Sequence, residues 1–224
     1  MIYLNAALSQ HFGPTELPAA VRTALGKPLR RTTALTQLAL TGALACLPKD
    51  RRSMPTALLW QSTRGLREET RQLLNAVCDA VAEPMPYDFL ASQPALAAVQ
   101  IQPYLPGLQT ATHFPLDRAE HTQWALLISL ASHWLKAGRH AQVLCAHLDV
   151  HEGVCSGHWL SLSAQPLENS PASIHLNLTT EASVCPDTPE FPHRLTSWLN
   201  TAAVPGLYLQ SPAAPRLAVE FVRI

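Results

Sequence analysis

The sequence predicts an α/β fold, with a mixed central sheet, helices on both faces and a strand-rich C-terminal part. The hydrophobic period switches repeatedly between strand and helix spacing. A short apolar strand at Thr56–Trp60 runs through a turn into an amphipathic helix, the pattern of a crossover connection. A chain of 224 residues that is 47% apolar and only 14% charged can bury one large core, so residues 1–224 are read as a single domain.

The elements follow in order. Ile2–Leu8 reads as the first strand. In Thr33–Leu47, residues Leu35, Leu38, Ala39, Ala43 and Cys46 recur at helical spacing, and Leu40, Leu44 and Leu47 form a second apolar row. A helix apolar on two sides is buried on two sides. Thr56–Trp60 follows Pro55 and suits a central strand. Ser62-Thr63-Arg64-Gly65 then supplies a cap and a turn, and Leu66, Thr70, Leu73, Leu74, Val77 and Val81 mark one face of the next helix. Ser92 is read as an N-cap, with Pro94 in the first turn of a helix running to about Gln102; Pro103, Pro106 and Gly107 end it. A longer helix over about Arg118–Ala137 aligns Trp124, Leu127, Ile128, Ala131, Trp134 and Leu135, with Gly138 as its stop, and is expected to be the most buried helix. Ala141–Val150 is a strand. His158–Ser163, Ile174–Leu178, Gly206–Leu209 and Leu217–Val222 complete the strand-rich part, with a helix at Pro192–Ala202 and turn-rich connections at Pro166–Pro171 and Pro212–Pro215.

The sixteen Lys and Arg balance the sixteen Asp and Glu, so no long-range positive field gathers nucleic acid or anionic lipid. No apolar run reaches the ~20 residues of a spanning helix, and the first residues lack the order of a signal peptide, so a cytoplasmic location is expected. The five cysteines, Cys46, Cys78, Cys145, Cys155 and Cys185, lack a paired spacing and are expected to be reduced thiols, mostly buried.

Cys145, His147, Asp149 and His151 alternate along one strand and so share a face, with Cys155 and His158 nearby. Same-face neighbours stand ~6–7 Å apart, too far for two of them to hold one ion unaided, so no metal site is assigned. No Gly-x-Ser-x-Gly elbow occurs. Nine glycines form neither a dinucleotide fingerprint nor a phosphate-binding loop, so no cofactor is expected.

Thr56–Tyr104, with its strand, turn, helix and the Pro86, Phe89, Ser92 stretch leading into a small-residue helix, resembles the N-terminal half of a β-ketoacyl synthase of the thiolase-like group. Arg30–Leu47 and Trp124–Asp149 extend the likeness to roughly two-thirds of the chain. The nearest likeness is to the short chain-length-factor proteins of aryl polyene biosynthesis. The resemblance implies one thiolase-like half with no second half, and hence no catalytic histidines from the matching positions. In the family a Thr-Ala-Cys-like turn places the nucleophilic cysteine at the N-terminus of a long buried helix, where the helix dipole lowers its pKa. Counting from Gly107, that turn would fall in Leu108–Leu116, and no cysteine lies between Cys78 and Cys145. The resemblance therefore implies no catalytic residues. It implies a heterodimer with an active β-ketoacyl synthase, reached by acyl carrier protein through the complex. The expected interface or acyl-tunnel residues are Ala91, Leu96, Val99, Thr110, Thr112, His113, Phe114 and Leu116. An acyl-thioester hydrolase with a relocated nucleophile, or a non-catalytic scaffold homodimer, are the competing readings.

Overall fold

The computed structural model describes residues 1–79, 85–118, 122–177, 184–201, 204–212 and 214–224. Val81, Leu178, Ala202 and Ala213, and residues 119–121 of the expected long helix, lie outside them.

One nine-stranded mixed sheet runs through the described residues in the order β3-β2-β4-β5-β1-β6-β9-β8-β7. Its first part comprises β1 (Ile2–Phe12), β2 (Thr56–Ser62), β3 (Leu108–Pro115), β4 (Gln142–His151) and β5 (Val154–Ser163). β2 is parallel to both β3 and β4, whereas β5 is antiparallel to β4 and β1. The second part comprises β6 (Ala172–Asn177), β7 (Val184–Pro186), β8 (Gly206–Gln210) and β9 (Ala218–Arg223). Among the described residues, the backbone ladder passes between the two parts where Ile2–Leu4 pairs with Ala172–Ile174.

The faces of the sheet carry separate cores. Over one lie α1 (Glu16–Leu25), α2 (Ala34–Cys46) and the end of α5 (Pro94–Ile101), packing on Leu58, Trp60, Leu144, Ala146, Leu148 and Trp159. Against the other lie α6 (Trp124–Lys136) and α7 (Phe191–Asn200), packing on Ala57, Leu59, Val143, Cys145 and Leu160, and also on Leu209, Val219 and Phe221 from the second part. Helices therefore cover both faces, as the sequence predicts. The alternation along β2 explains the division: odd positions face α6 and even ones face α2. Outside these layers stand α3 (Arg67–Asp79) and the short α4 (Pro86–Ala91).

α2 is buried along almost its whole circumference, from Leu35 to Leu44, and Thr33 caps it by accepting the Thr36 N–H at 3.1 Å. Gly42 lies on the indole of Trp159. A Cβ there would stand 2.1 Å from the ring, so only glycine permits this approach. The most buried helix is accordingly α2 and not α6, whose His133 and Lys136 are exposed and whose Trp134 is half-buried.

Three further expectations are corrected. Leu108–Leu116 is not the turn that would hold a nucleophile. Leu108–Pro115 is a parallel edge strand whose backbone bonds β2 along its length, and Thr110, Thr112 and Phe114 alternate with Ala111 and His113 as a half-buried strand requires. The long helix begins at Trp124, not Arg118, because a side chain from the second part of the sheet fixes its N-terminus. Ser92 ends α4, with its hydroxyl donating to the Phe89 carbonyl at 2.8 Å, and Gln93 occupies the N-cap of α5. Gly138 stands where expected, left-handed at φ 68 just beyond α6.

Candidate functional site

The parallel strands β2, β3 and β4 end on one edge of the sheet, the edge at which open α/β sheets place their ligands. Consecutive residues at the end of β2, Gln61 and Ser62, point to opposite faces and build two different environments.

On the α6 face, the Gln61 side-chain oxygen accepts the Gln123 N–H at 2.9 Å. Gln123 is the N-cap residue of α6. The first turn of that helix is then taken by Asp187, which lies between β7 and α7 and is almost fully buried. Its carboxylate accepts the Thr122 hydroxyl at 2.6 Å, the Trp124 N–H at 3.0 Å and the Ala125 N–H at 3.2 Å. Burial pushes the Asp187 carboxyl above its usual range, while these donors and Ser211 pull it back. The Trp124 indole N–H also donates to the Thr188 carbonyl, at 3.1 Å. The anion-binding capacity of a long buried helix is thus satisfied internally.

No thiol stands at that N-terminus. Cys46 and Cys145 are fully buried and their thiols are pushed up, Cys46 to about 12, so neither is a thiolate at neutral pH. Burial likewise raises Cys155 and Cys185.

On the other face, the Ser62 hydroxyl is 2.8 Å from His113 Nε2. The His113 ring stacks on Trp60 with centroids 4.0 Å apart, and burial lowers its pKa, keeping it neutral near pH 7. Asp149, at the end of β4, accepts the Arg64 N–H at 2.9 Å and so holds the turn that follows Ser62. Burial raises its pKa against that hydrogen bond. A cavity of about 550 Å³ opens here, lined by Ser62, Arg64, Ser92, His113 and Leu116 among others.

The expected interface residues are divided among these surroundings. His113 and Leu116 reach the cavity, while Thr110, Thr112 and Phe114 project from the other face of β3, Phe114 against the α6 core. Leu116 is buried and its N–H bonds the Ser62 carbonyl. Ala91 is buried at the end of α4, Leu96 is half-buried, and Val99 is exposed. The alternating β4 residues share a face as expected, but His147 is turned to His158, with ring centroids 6.3 Å apart and both pKa values pushed down to about 4 by burial. His158 Nδ1 is 2.9 Å from the Ser9 hydroxyl. Among the described residues no group of three or more His, Cys, Asp or Glu could hold a metal ion. Sequence reasoning misses Gln61, Gln123 and Asp187; the pairing of Asp187 with Trp124 spans 63 residues and leaves no local signal.

No protein-family model matches the sequence, and no curated protein matches it significantly. Solved structures do. One is a chain of the ketosynthase (ApeO) in complex with its chain length factor (ApeC) from Xenorhabdus doucetiae, with 15% identity over 99% of each chain and a TM-score of 0.59. Another is a chain of the ishigamide ketosynthase/chain length factor, with 11% identity over 100% of this chain and 99% of that one and a TM-score of 0.64. At these identities the similarity is one of architecture, and the chain has the fold shared by these ketosynthase and chain length factor structures.

Proposed function

We propose that this chain is a catalytically incomplete ketosynthase-like subunit of the chain-length-factor type. It pairs with an active β-ketoacyl synthase in the cytoplasm and shapes the partner's acyl tunnel in polyketide or fatty-acid-like synthesis, of which aryl polyene assembly is the nearest case. Acyl carrier protein meets it through the complex. The observation that carries this reading is the N-terminus of α6. Where the resemblance puts a nucleophilic thiol, this chain has Gln123 and the carboxylate of Asp187. Covalent acyl transfer needs a nucleophile that this position lacks.

Two surfaces support the pairing. β3 is an edge strand of eight residues, and among the described residues nothing pairs with its outer side, so its backbone donors and acceptors are available to another chain. Met85, Phe89 and Leu90 around α4 and Val99 on α5 are exposed apolar side chains of the kind a partner would cover. Ala91, Leu96, Thr110, Thr112, His113, Phe114 and Leu116 lie in or under these two surfaces and are proposed as interface or tunnel residues. Among the described residues no helix is long and apolar enough to cross a membrane.

Co-expression with a candidate ketosynthase followed by size-exclusion chromatography tests this reading. The expected result is co-elution and a changed product length when this chain is omitted; separate elution with unchanged products would remove it.

A further inference from the structure

The cavity at the end of β2 shares His113 and Leu116 with the surfaces proposed above for pairing, and its chemistry points to a second role. Ser62 and His113 are 2.8 Å apart across two parallel strands, with Trp60 fixing the imidazole from below. They line the cavity together. Gly65, at φ 52, lies directly over the pair: a Cβ there would stand 2.9 Å from Ser62 Oγ and 3.9 Å from His113 Cε1. The turn therefore packs the Gly65 backbone against the buried hydroxyl, where no side chain would fit, and Asp149 holds it in that shape. Thr63, which lines the same cavity, has a buried hydroxyl with no hydrogen-bond partner, a donor not spent on the fold. Leu66, Pro94 and Leu116 give the cavity an apolar part, and Arg64 and Arg67 outnumber Asp117 and leave it a net positive charge.

We propose that Ser62 and His113 form a nucleophile–base pair that hydrolyses acyl thioesters whose leaving thiol carries an anionic group. With its proton on Nδ1, the neutral His113 ring accepts the Ser62 hydroxyl proton at Nε2. Ser62 Oγ then attacks the thioester carbonyl carbon, the C–S bond breaks, and the departing sulfur takes the proton from His113. Water attacks the resulting Ser62 ester, giving a proton to Nε2, which returns it to Ser62 Oγ as the ester C–O bond breaks and the carboxylic acid leaves. The apolar lining receives the acyl chain and the arginines the anionic part of the thiol. The activity belongs to this chain alone and does not rest on the pairing proposed above.

The test uses the full chain, without a ketosynthase. Thiol release from butyryl- and octanoyl-coenzyme A is followed colorimetrically, and intact and digested protein is analysed by mass spectrometry after exposure to a fluorophosphonate. The expected result is a single phosphonyl adduct on Ser62, with thiol release falling on the order of 100-fold in both Ser62→Ala and His113→Gln. The labelling uses the unmodified chain, so it reads out even where a variant folds poorly. No adduct on Ser62, or thiol release undiminished in well-folded Ser62→Ala, overturns the proposal and leaves the pairing reading untouched.

Discussion

Gln61 and Ser62 are neighbours at the end of one strand, yet the surroundings they build are opposites. On the Gln61 side every donor of the first turn of α6 that Asp187 can reach is satisfied by it, in a packed core that reaches into the second part of the sheet. On the Ser62 side the side chains line a cavity of about 550 Å³, with the buried Ser62 hydroxyl in its wall beneath Gly65. The N-terminus of α6 is closed by structure, and the polar groups left over for chemistry stand one residue away on the other face. Changes on the closed side should act mainly on stability and changes on the cavity side mainly on ligands.

The largest effect is expected at Asp187. Asp187→Ala leaves the Thr122 hydroxyl and two backbone N–H groups at a buried helix end without their acceptor, and should cost about 3 kcal/mol in denaturant unfolding. Asp187→Asn retains one acceptor oxygen and should cost less. Neither variant should gain condensing activity, because the helix still lacks a thiol. A loss within ~0.5 kcal/mol for the alanine variant would mean that the closed side is not held by this contact.

A smaller effect is expected at Gly65. Its φ of 52 disfavours a side chain, and a Cβ would press on Ser62 Oγ, so Gly65→Ala should cost on the order of 1 kcal/mol. The same change should abolish labelling of Ser62. Stability lost without any change in labelling would show that the cavity is reached by another route.

Asp187 and His113 carry opposite pH dependences. Burial raises the folded pKa of Asp187, so its contribution is full below the ordinary carboxylate range and declines as pH rises through the raised value. Burial lowers the folded pKa of His113 below 6.5, so the unfolded chain takes up the proton first and stability declines as pH falls through 6.5. His147 and His158, both pushed down to about 4, act in the same direction as His113 between pH 6.5 and 4. Urea midpoints across pH should therefore flatten on the acid-carboxylate limb in Asp187→Asn and on the histidine limb in His113→Gln. An unchanged slope in either variant would remove that group from the account.

What was legible in the sequence follows the same division. α2, β2, β4 and α7 were readable because their apolar periods are strong and their contacts local in kind: Leu35 to Leu44 announce a helix buried on two sides, and Thr33 its cap. β3 was not readable as a strand, because an edge strand with half-buried Thr110, Thr112 and His113 lacks a continuous apolar run. The sequence places the start of α6 six residues early, since the apolar row from Trp124 onward is legible but the acceptor of its first turn is a carboxylate delivered from another part of the chain. The absence of cysteine between Cys78 and Cys145 can be read directly; the contact of Asp187 with the first turn of α6, and the pairing of Ser62 with His113 across 51 residues, are products of the fold alone.

The central claim, that this chain carries no condensing nucleophile at the N-terminus of α6, is tested most directly by a condensation assay on the rigorously purified chain, with an acyl thioester and a malonyl thioester as substrates and no ketosynthase present. The account predicts no β-ketoacyl product above the rate in buffer, whatever thiol release is seen. Substantial condensation by the chain alone would contradict it.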